Sequence, residues 1–203
     1  KVEDIAHVRF AAPDLATMRT FLDDFGMETF EAGGRLYGKG GDGRPFVHVT
    51  EAGPARFLGV GFRADTLADL ETLAASQGVA VEDLAEPGGG KIVRLIDPDG
   101  YTVEIVAGQE KGEATLPFAD PPRNTAAAKP RQRATVRLDP APAHVRRIGH
   151  AVLKVRDFRR SEGWYKERFG FLTSDEVEAA EGVPLGAFMR CDRGDKPADH
   201  HTL

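Results

Sequence analysis

Hydrophobic and polar residues alternate along Ile5-Ala6-His7-Val8-Arg9-Phe10, the period of a half-buried strand. Asp14 then stands as a helix N-cap, Met18, Phe21, Leu22 and Phe25 recur at helical spacing, and Gly26 supplies a stop. The same order returns later in the chain. Ile148-Gly149-His150-Ala151-Val152-Leu153 predicts a strand, Asp157 a cap, and Phe158, Trp164, Tyr165 and Phe169 a helix that ends at Gly170. His7 thereby maps onto His150, and Phe25-Gly26 onto Phe169-Gly170.

Two further strand signals follow each helix. They are Arg35-Leu36-Tyr37 and Pro45 to Thr50 in the first copy, and Ala187 to Arg190 and Pro197 to Leu203 in the second. Laying Pro45 on Pro197 places His48 on His200. The first copy continues with a strand from Phe57 to Phe62 and a helix capped by Thr66 that carries Leu67, Leu70 and Leu73 and stops at Gly78. Ile92 to Ile96 then leads through the turn Asp97-Pro98-Asp99-Gly100 into Tyr101 to Val106, a hairpin signature.

These repeats predict an α+β fold in which βαβββ modules form curved mixed sheets, in two domains. Residues 1–108 make a complete first domain, expected to be non-catalytic. Residues 109–147 hold Pro117, Pro121, Pro122, Pro130, Pro140 and Pro142 and read as a solvated, semi-extended linker, with Lys129, Arg131, Arg133 and Arg137 as its basic residues. Residues 148–203 make the first part of a second domain. Its last strand, by the layout of the first, falls at roughly position 247, so a truncated second domain is expected.

Composition narrows the chemistry. With 203 residues and 41% hydrophobic content the chain can bury one large core or two small ones. A net charge of −5 offers no positive field for nucleic acid. No run approaches the roughly 18 apolar residues of a membrane helix, and no signal peptide is evident, which makes the cytoplasm the expected compartment. The chain begins at Lys1 rather than Met, so a leader is left open. Cys191 is the only cysteine, which excludes an intrachain disulfide and leaves His and carboxylate as the metal donors.

His7 and His150 occupy equivalent places near the start of a first strand. Each is either a buried histidine satisfied by a partner or a metal ligand. Glu104 sits mid-strand among Val103, Ile105 and Val106, where it either pairs across the sheet surface or faces inward in line with His7 as a second hard donor. His200 and His201 are adjacent, so in a strand only one can enter a given pocket.

The order of elements, the turn Asp97-Pro98-Asp99-Gly100 leading to Glu104, and the paired histidines resemble the vicinal oxygen chelate superfamily of glyoxalases, antibiotic-resistance proteins and dioxygenases. Gly149-His150-Ala151-Val152-Leu153, Trp164-Tyr165, Phe169-Gly170-Phe171, Ala187 to Cys191 and Asp199-His200-His201-Thr202-Leu203 are similar to the catalytic domain of type I two-domain extradiol dioxygenases. That resemblance implies ring cleavage of a small aromatic diol by O2 at a non-haem Fe(II), with Mn(II) or another divalent metal as an alternative, in a homo-oligomer. It implies His150 as the first ligand, with a second His and a Glu beyond Leu203, and His201 as acid-base residue with His200 the alternative. It also makes His7 and Glu104 remnants of a site whose second-ligand position falls near Leu58. A glyoxalase-like isomerase or lyase and a metal-free binding protein are the rival readings.

Overall fold

The computed structural model describes residues 1–115, 124–130 and 143–203. Ten strands and three helices form among them. β1 (Val2–Ala12), α1 (Leu15–Phe25), β2 (Glu28–Ala32), β3 (Arg35–Lys39) and β4 (His48–Ala52) make one βαβββ module. β5 (Arg56–Ala64), α2 (Leu67–Gln77), β6 (Glu82–Asp83), β7 (Lys91–Ile96) and β8 (Thr102–Ala107) make another. All eight strands join in one mixed sheet of order β2-β3-β4-β1-β5-β8-β7-β6. Within each module the first strand pairs parallel to the last, β1 to β4 and β5 to β8, and β1 meets β5 antiparallel at the seam.

Both helices start and stop where the sequence signals them. Asp14 accepts from the backbone N–H groups of Ala16 and Thr17, Thr66 accepts from that of Asp69, and Gly26 and Gly78 close the helices in the left-handed region. Phe21 and Phe25 depart from expectation. They are 58% and 55% exposed and stack on each other, while Leu22 is the buried anchor of α1. Their spacing is helical, but the sheet reaches only the stripe around Leu22.

Later in the chain come α3 (Phe158–Phe169), β9 (Leu172–Ala180) and β10 (Val183–Arg190), the last two forming a separate hairpin. β2 and β9 carry no strong apolar alternation and their residues are half-exposed or exposed, which is why the pattern did not announce them. Conversely, the expected strands Ile148–Leu153 and Pro197–Leu203 are extended segments with few ladder bonds: Ala151 N–H donates to the Thr202 carbonyl (3.2 Å), and residues 202 and 203 exchange bonds with Met189. A strand is defined by its partners, and these segments have too few.

One hydrophobic cluster runs from the sheet into α3. Val2, Ile5, Val60, Phe62, Val93, Val103 and Ile105 of the sheet share it with Leu70 and Leu73 of α2 and with Tyr165, Phe169, Phe171 and Met189. Phe62 is the hub, with ring centroids 6.4 Å from Tyr165, 6.0 Å from Phe169 and 5.3 Å from Phe171. Polar ties reinforce it: the Tyr165 hydroxyl donates to Asp97, and Asp99 accepts from the Arg156 backbone and the Ser161 hydroxyl.

The described ends of the Pro-rich segment lie against the sheet domain rather than free in solvent. Glu110 bonds Gly88, Gly112 bonds Gly43, Thr115 bonds Gly41, and Val145 bonds both Gly26 and Gly41, all through backbone groups. Pro117, Pro121, Pro122, Pro140, Pro142, Arg131, Arg133 and Arg137 lie outside the described residues. No helix among the described residues is long and apolar enough to cross a membrane.

Phe62→Ala should cost about 3–5 kcal/mol, the usual range for emptying a buried aromatic site. Urea denaturation followed by Trp164 fluorescence and by circular dichroism should give one shared transition. Two separated transitions would show that α3 and the sheet do not depend on Phe62 together.

Candidate functional site

Two places bring together the residues that the sequence singles out. The first lies on the sheet face opposite α2 and α3. His7 pairs with Gly61 across the β1–β5 seam, and Gly61 with Glu104 across β5–β8, so the three stand in line on adjacent strands. A bulge makes this possible. Ile5 pairs with Phe62 and His7 with Gly61, leaving Ala6 as an extra residue. Ile5 therefore enters the helix-side core while His7 turns to the other face, where strict alternation would have kept both on one side.

The residue between His7 and Glu104 is thus Gly61, three positions from Leu58, near which the resemblance put the second-ligand position. Its lack of a side chain is what lets the site close: an ideal Cβ there would sit 2.3 Å from Cε1 of His7. His7 and Glu104 are 1% and 5% exposed, and Nε2 of His7 donates to Oε2 of Glu104 at 2.7 Å. Arg9, two residues on from His7, donates to the same oxygen at 3.0 Å and to both oxygens of Glu86 at 2.9 and 3.0 Å. Arg94 donates to Oε1 of Glu104 at 3.1 Å. Burial pushes the Glu104 carboxyl up, but the hydrogen bond and charge of His7 and the charge of Arg9 outweigh it and hold the group well below the usual carboxylate range.

Arg9, Glu86 and Gly61 were not singled out from the sequence. Arg9 carried a legible signal, a charge two residues from His7 in an alternating strand. Glu86 comes from a loop and carried none. Because every oxygen of Glu104 faces a cation or His7 and Gly61 offers no donor, these residues as arranged do not fit a metal ion. No group of three His, Cys, Asp or Glu suited to hold one occurs anywhere among the described residues.

The second place is formed by the segments around His150 and His201. Val8 N–H donates to the Val47 carbonyl in the first module, and Ala151 N–H donates to the Thr202 carbonyl in the second. Likewise Val47 N–H donates to Gly38, and Thr202 N–H to Met189. The backbone register therefore equates Val47 with Thr202, which puts His201 in the place of Phe46 and removes the match of His48 with His200. Phe46 lies 5.1 Å from the His7 ring, and His201 lies 4.2 Å from the His150 ring.

His201 also meets Phe188 at 4.9 Å and lines an open cavity of about 570 Å³ walled by Val152, Phe158, Tyr165, Leu185 and Phe188. His200 points its Nε2 at Asp175 on β9, 2.5 Å away, while its Nδ1 lies 3.2 Å from Nδ1 of His201. Desolvation, with the neighbouring charges of His150 and His200, holds His201 below the ordinary histidine value. Among the described residues, no group of three His, Cys, Asp or Glu gathers around His150.

Two outcomes follow from the packing. Gly61→Ala should cost about 1–3 kcal/mol in urea denaturation, the range of an overpacked core, because the methyl meets the fixed ring of His7. An unchanged midpoint would show that the ring can move aside. Acid stability provides the second. His48 is buried against Thr50 and Phe10, and desolvation pushes it down to about 4. Its folded pKa lies below its unfolded one, so its contribution is present above about pH 6.5 and is lost as pH falls towards 4, about 3 kcal/mol in all. His48→Gln should flatten stability against pH across that window; an unaltered slope would place the acid sensitivity elsewhere.

No family model matches the chain. It is 29% identical over 209 aligned positions to metapyrocatechase 2 of Cupriavidus necator, covering all of this chain and 60% of that protein. Among solved structures, the Mn(II)-bound glyoxalase of Novosphingobium aromaticivorans superposes with a TM-score of 0.71 at 23% identity, over all of this chain and 60% of that one. A variant of homoprotocatechuate 2,3-dioxygenase from Brevibacterium fuscum gives 0.70 at 22% identity, over 93% of this chain and 50% of that one. The chain thus spans 60% of the length of the curated relative it matches. Taken with the paired βαβββ modules and their seam, these likenesses show that the chain shares the fold of the glyoxalases and extradiol dioxygenases of the vicinal oxygen chelate superfamily.

Proposed function

We propose that this protein takes part in extradiol cleavage of a catechol-type diol by O2, with residues 1–108 as scaffold, 109–147 as linker and 148–203 as part of the catalytic domain. The observation that carries this reading is the contact of His150 with His201, which lines the apolar cavity. The described residues do not make a three-donor metal site. In this proposal His150 supplies one ligand of a non-haem Fe(II), and a His and a Glu following Leu203 supply the others.

The chain's own residues have distinct tasks. The cavity walls, with Phe188 and Leu185 exposed towards it, take the flat apolar face of an aromatic ring and displace water from it. His201, held below the ordinary histidine value, is neutral at pH 7 and ready to accept a proton from a phenolic hydroxyl and return it later. His200 is paired with Asp175 and orients the segment that presents His201.

Full-length protein loaded anaerobically with Fe(II) should convert a substituted catechol and O2 into a yellow ring-fission product. Iron bound without colour across a broad catechol panel would favour the glyoxalase-like or binding readings. His150→Ala should lose stoichiometric iron. His201→Ala should keep iron and lose about 10²–10⁴-fold in turnover, the usual contribution of an acid-base group, with His200→Ala affected less. A larger loss at His200 would exchange their roles.

A further inference from the structure

From His150 onward the chain alternates between two environments. Ala151 and Leu153 pack into the hydrophobic cluster shared with the sheet, while His150, Val152, Lys154 and Arg156 are exposed. An extended backbone turns alternate side chains to opposite faces, so these four form one stripe. Val152, Lys154 and Arg156 all line the open cavity that His201 also lines. At roughly 3.3 Å per residue the stripe runs about 13 Å from His150 to Lys154, with the apolar side chain of Val152 between them.

The first module uses the same positions differently. The matched backbone bonds of Val8 to Val47 and of Ala151 to Thr202 set Arg9 against Val152 and Ala11 against Lys154. There the cation nearest the histidine is buried between Glu86 and Glu104, and Ala11 is buried and apolar. In the second module the middle position is apolar and 81% exposed, and the cation stands one step further along the stripe.

The charges at the cavity are unequal. Among the described residues that line it the one carboxylate is Glu162, and both its oxygens are taken, Oε1 by Lys166 and Thr173 and Oε2 by Arg159. The Lys154 ammonium makes no hydrogen bond or ion pair among the described residues. The Arg156 guanidinium reaches Asp99 at 3.8 Å, with its side chain 87% exposed. Apolar walls, cations at one end and no unpaired acid select a ligand with a flat apolar body and an anionic end.

We propose that the diol taken by this cavity carries a carboxylate on a short arm, and that Lys154 is the residue that selects it, with Arg156 beside it at the mouth. This rests on the extradiol reading for the diol end only. A bare ring placed beside His150 ends over Val152. An acidic arm continues along the stripe to Lys154, whose flexible four-carbon stem lets the ammonium meet it. A charge-assisted hydrogen bond forms there, and its exposure to solvent limits the gain to about 5- to 10-fold in affinity.

Calorimetry tests it on the full-length protein loaded with Fe(II) and kept free of O2, using 2,3- and 3,4-dihydroxyphenylpropanoate, each against its methyl ester. At least one acid should bind about 5- to 10-fold more tightly than its ester, and the preference should shrink as salt is raised. Lys154→Gln should bring the ratio of the two affinities close to one, and Lys154→Glu should invert it. Because Lys154 is exposed, both variants should keep the wild-type thermal midpoint, measured alongside. Equal binding of acid and ester by the wild-type protein would overturn the proposal, as would binding of neither. A preference that survives Lys154→Gln and disappears in Arg156→Gln would overturn the assignment to Lys154. Admitting O2 then separates the two readings. Acid preference without ring fission of any diol counts against the extradiol reading alone, and ring fission without acid preference overturns this proposal alone.

Discussion

The antiparallel seam between β1 and β5 supports both faces of the sheet. On one side it delivers Ile5, Val60 and Phe62 to the core under α2 and α3; on the other it aligns His7, Gly61 and Glu104. The single extra residue at Ala6 lets one strand serve both. Without the bulge, His7 would fall on the helix side and Glu104 would lose its hydrogen bond from Nε2 of His7. The buried charges then follow from the seam: an ionised Glu104 is tolerable because His7 and Arg9 reach it from β1 and Arg94 from β7.

The two modules put similar backbone to different use. Around His7 the space is filled by Phe46 and the Arg9 guanidinium, giving a closed and charge-balanced interior. Around His150 the equivalent places hold His201 and Val152, a titratable ring and a small apolar side chain at an open cavity. One site is filled and its charges are paired. The other is left open, with His201 among the residues that line it.

The sheet domain is tied to the open site through one turn. Asp97 accepts from the backbone N–H groups of Asp99 and Tyr101, which fixes the hairpin, and its other oxygen accepts from Tyr165 on α3. Asp99 accepts from the Arg156 backbone just before the Asp157 cap. The segment that carries His150 and Val152 runs directly into this anchored helix start. Position at the cavity is therefore inherited from the sheet domain through the Asp97 turn and the Phe62 aromatic cluster.

The sequence by itself determined what depends on nearest neighbours. The caps Asp14, Thr66 and Asp157, the stops Gly26, Gly78 and Gly170, the three helices and most strands of the first domain follow from local hydrogen bonding and apolar period, and the repeat that relates His7 to His150 is legible in residue order. Tertiary structure alone decided the rest, because it depends on pairing between distant segments. Register placed Gly61 rather than Leu58 beside His7, the Ala6 bulge chose the face, and Thr202 opposite Ala151 turned His201 rather than His200 towards His150. Glu86, brought in from a loop, completed a charge balance around Arg9 that no local pattern could announce.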